Sequence, residues 1–219
     1  MRVPLATGLT TALLLLPTVA FASCTANIGA PVFSIAMKDP PVNYRFDLNS
    51  AALAKIANEN GMPGLKDEIP FGLTIGRYDL DLAVNTDSVR DDGGGYCAEL
   101  RAAHVEIGLK QLDVIVDRRF VGGSCEREAV LDHERQHVEV FREAVRYYLP
   151  ELEQAVAQAA VPLDIHVADR KAARAAFLER VTDALKPVFA AINGRARDGN
   201  ARLDVPESYA AVFKRCRHW

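Results

Sequence analysis

Apolar and polar residues alternate through much of the first half of the chain and recur at three- to four-residue intervals in the second. Val42, Tyr44, Phe46 and Leu48 alternate with Asn43, Arg45 and Asp47, the period-two pattern of a half-buried strand. Asn49-Ser50 reads as a helix start, Leu53, Ile56 and Ala57 fall near helical spacing, and Gly61 with Pro63 ends the segment. Alternation resumes at Ile75 and runs through Tyr78, Leu80, Leu82 and Val84. Asp91-Asp92-Gly93-Gly94-Gly95 is a turn signal, and no Lys-Ser/Thr follows it to make a phosphate loop. Extended runs over residues 100–107 and 112–120 flank Gly108, which predicts an antiparallel hairpin.

Ser124 then offers a hydroxyl as an N-cap, Glu126 and Glu128 place negative charge in the first turn, and helical spacing continues to Leu149. Pro150 predicts a break or kink. Further helices are expected over residues 151–160, over 168–192 before Asn193-Gly194, and over 206–216. Strands followed by helices predict an α+β fold: mixed or antiparallel strands with a hairpin, then a helical C-terminal part, in one domain over residues 23–219.

The start of the chain adds a compartment. Met1-Arg2 is positive, an apolar run is centred on Leu13 to Leu16, and Ala20-Phe21-Ala22 has the small-x-small form of a signal-peptidase site. Residues 1–22 read as an export signal, and that run is too short to span a bilayer. Lipidation of Cys24 is an alternative, although Phe21 departs from the usual Leu. Cys24, Cys97, Cys125 and Cys216 are an even number in an exported chain, which predicts disulfides. Of three possible pairings, Cys97–Cys125 brackets a β-rich segment and leaves Cys24–Cys216 to join the ends. With 26 basic and 29 acidic residues, a net charge of −3 and no basic run, nothing marks a nucleic-acid partner.

Candidate chemistry lies in the helix that Ser124 begins, where His133-Glu134-Arg135-Gln136-His137 is an HExxH sequence. Residues four apart on a helix are rotated by about 40° and displaced by about 6 Å, so both imidazoles project from one face and can share a zinc ion. They fall on the stripe of Val130, Phe141, Ala144 and Tyr148, the side expected to face the protein body. Glu134 stands beside them as a general base for zinc-activated water. A hydrogen-bonded or solvent-facing His pair is the plain alternative.

These residues resemble the active-site helix of the zincin metallopeptidases. Gly123-Ser124-Cys125 leading into the stretch from Val130 to Val138 is similar, more narrowly, to a group of small secreted bacterial proteins described as zinc proteases. The resemblance covers about residues 97–149 and implies His133 and His137 as zinc ligands, Glu134 as catalytic base, and the strand over residues 112–120 as a substrate edge. A metzincin would carry Gly and His where this chain has Val140 and Glu143. Gluzincins supply a Glu from a later helix, often with an Asp four residues on. Glu179-Arg180-Val181-Thr182-Asp183 has that form, so Glu179 is the expected third ligand, with His166, Glu151 and His104 as rivals, and Asp183 is expected to orient one of the histidine ligands from behind.

The expected activity is a secreted or periplasmic zinc-dependent hydrolase acting on a peptide or protein substrate. The alternative is a non-catalytic envelope protein with a structural metal site or an interaction role. Asp79 and Asp81 alternate on a strand as solvent-facing acids or a calcium site. Lys214, Arg215, Arg217 and His218 surround Cys216 as a solvated tail, and Trp219 covers apolar surface.

Overall fold

The computed structural model describes residues 30–62, 70–91, 93–161 and 164–219. The export-signal reading and Cys24 lie outside them. The fold is α+β, with strands β1 (Val32–Lys38), β2 (Asn43–Arg45), β3 (Gly72–Arg90), β4 (Tyr96–Val116) and β5 (Asp164–Val167) in one sheet. Helices α1 (Ser50–Glu59), α2 (Cys125–Ala159), α3 (Arg170–Leu203) and α4 (Pro206–Phe213) pack around it.

The hairpin lies elsewhere than the alternation around Gly108 predicts. Residues 100–107 and 112–116 belong to one strand, β4, and the turn that reverses the chain is the glycine-rich segment between β3 and β4. Gly108 takes φ 150°, and a Cβ there would meet the Lys38 backbone, its nitrogen at 2.8 Å. Its role is close approach of β1 rather than reversal.

β4 is the spine of a mixed sheet. β3 runs antiparallel along one edge of it, from Gly72↔Val116 to Arg90↔Tyr96. The other edge is shared by β5 antiparallel and by β1 and β2 parallel. Residues 113–115, proposed above as part of a substrate edge, are therefore bonded on both sides, to β2 and to β3.

At this end both faces of the sheet are covered, which explains the unbroken apolar run Val114-Ile115-Val116. Val114 and Val116 pack with Val130, Leu131 and Val138 of α2, while Ile115, Leu73 and Ile75 pack with Leu53 and Ala57 of α1. Asn49 caps α1 and Ser124 caps α2 through their side chains, as their sequence positions predict.

Two expected breaks are absent. α2 runs for 35 residues through Pro150, and α3 runs for 34 through Pro187 and Asn193-Gly194. Interior proline costs about 3 kcal/mol and glycine about 1, yet Leu152 and Val156 beyond Pro150 and Ile192 and Ala196 around Gly194 are fully or almost fully buried between the helices. Burial at roughly 1.5–3 kcal/mol for each large side chain outweighs those penalties.

The two helices are antiparallel, with Arg180 donating to the Ala159 carbonyl at 2.7 Å and Gly199 facing Val140. A Cβ on Gly199 would come 2.5 Å from Val140 Cγ1, so glycine lets the helices close here.

The C-terminal segment is bound back onto α2. Cys125 is bonded to Cys216, correcting both favoured pairings, and Cys97 is disulfide-bonded elsewhere. The Cys97–Cys125 expectation rested on nearness along the chain, whereas α4 brings Cys216 to the start of α2 across 91 residues. Arg215 reinforces the bridge by pairing with Asp132 at 2.7 Å. Trp219 covers apolar surface as expected, stacking on Phe71 beside Phe120 and Phe213.

Candidate metal centre

His133, Glu134 and His137 lie on the inward face of α2 and are 4%, 5% and 6% exposed. That orientation follows from the apolar stripe, because Val130, Val138 and Ala144 draw the same face onto the sheet and α3. The continuation of α3 past Gly194 brings Asn200 and the C-cap residue Asp204 to the two imidazoles.

His133 Nε2 and His137 Nε2 are 3.3 Å apart, and Asp204 Oδ1 lies 3.5 Å from the first and 3.1 Å from the second. Tetrahedral coordination with bonds of about 2.0–2.1 Å separates donor atoms by about 3.3 Å. The three atoms therefore already form one face of such a tetrahedron, and the group could hold a metal ion. Two nitrogens and one carboxylate oxygen suit zinc and other first-row divalent ions.

Outer contacts orient the donors. His137 Nδ1–H donates to Asn200 Oδ1 at 2.9 Å, which turns Nε2 toward the centre as the atom that would bind an ion. His133 Nδ1 is buried with no hydrogen-bond partner among the described residues. The Tyr209 hydroxyl on α4 donates to Asp204 Oδ1 at 2.8 Å, and the Tyr209 ring lies 5.3 Å from that of His133.

Glu134 occupies a slot between α2 and β3. The Thr74 hydroxyl donates to Glu134 Oε2 at 2.7 Å. Gly72 leaves room for the carboxylate, since a Cβ there would come 2.7 Å from Val130 Cγ1 and nearer still to Glu134.

Burial pushes the Glu134 carboxyl above the usual range against the charges of His137 and His133 and the Thr74 bond. Burial also opposes charge on His137, yet its bond to Asp204 and the Glu134 charge push it up to about 9. For Asp204 the bonds from His133 and His137 outweigh desolvation and hold the carboxyl well below its usual range.

The expected third ligand is corrected. Glu179 is exposed on α3 and does not reach the histidines. Asp204 ends the same helix 25 residues later, about 37 Å along the axis. Asp183 pairs with Lys186. His104 lies 2.7 Å from Ser34 Oγ, His166 pairs with Asp91, and Glu151 is exposed on α2. Asp79 and Asp81 pair with Lys110 and Lys38. Along the chain Asp204 reads as a loop residue just ahead of the Pro206 helix, and it becomes a helix C-cap only because α3 continues through Gly194.

No protein-family model, curated protein or solved structure matches the chain.

Proposed function

We propose that this chain is a zinc-dependent hydrolase of peptide bonds, with His133, His137 and Asp204 as ligands and Glu134 as general base. One observation carries the reading: three donor atoms with tetrahedral spacing, with a buried carboxylate on the residue next to the first of them. Zinc held there would lower the pKa of a water molecule to about 7 and polarise the scissile carbonyl. Glu134 would accept the attacking water's proton at its carboxylate and pass it to the leaving nitrogen. Thr74 steadies the carboxylate for that transfer. The Cys125–Cys216 bridge is compatible with an oxidising compartment and supports the export reading of residues 1–22.

The second reading is a structural metal site in a non-catalytic protein, favoured by the near-complete burial of both histidines and the Tyr209 ring beside His133. Glu134→Gln separates the two. As a hydrolase, the variant keeps its zinc and loses at least about a hundredfold in cleavage of an unfolded protein or mixed peptide library. Undiminished cleavage by this variant refutes the role given to Glu134, and no cleavage by wild type across the library favours the structural reading.

A further inference from the structure

We infer that Tyr209 is a positioning residue of the metal centre, holding the Asp204 carboxylate as the third ligand. The inference rests on the His133–His137–Asp204 reading and deepens it. Asp204 is the weak point of that site. It is the C-cap of α3, its φ of −87° and ψ of 52° lie outside the helix, and its side chain is 43% exposed where those of the histidines are 5% and 8%. An exposed aspartate at a helix end has freedom to turn toward water, and ordering it for a metal carries an entropy cost.

Tyr209 removes that freedom. Its hydroxyl donates to Oδ1, the same oxygen that faces both histidine nitrogens, and its ring lies tilted against His133. One carboxylate oxygen has two lone pairs, so it can accept from Tyr209 and still offer an electron pair to an ion. The tyrosine is itself placed by short-range geometry. Pro206 starts α4 directly after the turn that follows Asp204, so Tyr209 returns to the carboxylate five residues on. The end of that segment is secured by Cys216 on Cys125 and by Arg215 on Asp132, one residue before His133.

The test compares zinc and cobalt affinity, by chelator competition on the disulfide-intact full chain, for wild type, Tyr209→Phe, Asp204→Asn and the double variant. Loss of an outer hydrogen bond to a ligand costs roughly tenfold to a hundredfold in metal affinity. Tyr209→Phe should show that loss while the metal-free variant melts like wild type, because the ring and its packing remain. In the Asp204→Asn background the same change should cost less than about threefold, since the effect passes through the carboxylate. The visible spectrum of the cobalt form should also differ between wild type and Tyr209→Phe. Wild-type affinity in Tyr209→Phe, with affinity lost in Asp204→Asn, overturns the inference and leaves the metal centre standing. Wild-type affinity in both Asp204→Asn and a His133→Ala control overturns the metal centre itself.

Discussion

Replacing Gly199 by alanine tests whether the approach of two helices sets the metal site. An added Cβ would lie 2.5 Å from Val140 Cγ1, where ordinary carbon contacts are about 3.5–4.0 Å, so the helices must part locally by about 1 Å. Valine gives way poorly, because one side-chain rotamer dominates in a helix. The 2.9 Å bond from His137 to Asn200, the very next residue, would stretch beyond the limit of about 3.5 Å. Asp204, one turn further, would leave its position 3.1 Å from His137.

Overpacking costs about 1–3 kcal/mol, and alanine in a helix interior returns about 1. Global stability should therefore fall by no more than about 2 kcal/mol, while zinc affinity falls roughly tenfold to a hundredfold. Isothermal titration with zinc and urea denaturation of the metal-free form measure the two effects separately. Adding Val140→Ala opens the space again and should restore most of the affinity. A Gly199→Ala protein that binds zinc like wild type would refute the argument that close packing at this glycine positions the ligands.

Metal binding should depend on pH through His137. Its pKa of about 9 in the metal-free site means that an ion must expel a proton, so affinity should rise about tenfold per pH unit and level off above about 9. Calorimetry in buffers of different ionisation heat should show about one proton released per ion at pH 7, and none released would contradict the His137–Asp204 pairing. Removing the bridge with Cys125→Ser and Cys216→Ser should cost about 4–5 kcal/mol of stability, from the 91-residue separation, and should weaken zinc binding. Unchanged affinity there would show that α3 holds Asp204 without help from the C-terminal segment.

The α+β class, the capped starts of α1 and α2, and the two inward histidines with Glu134 between them were legible along the chain. Each depends on residues within a few positions of one another. A cap needs a side chain three residues from the amide it bonds, and HExxH needs only the pitch of one helix.

Tertiary structure decided the rest. Whether Gly108 turns the chain was settled by β1 lying against it, and whether Pro150 and Gly194 break helices was settled by apolar burial between α2 and α3. The second continuation determines the third ligand, for a helix ending at Ile192 would never carry Asp204 to His137. The disulfide followed the same logic, since Cys125 met the cysteine that α4 brought to it rather than one near it in sequence. Local signals specify what each residue can do within about one turn, but the energy of burying two long helices against each other decides which distant residues meet.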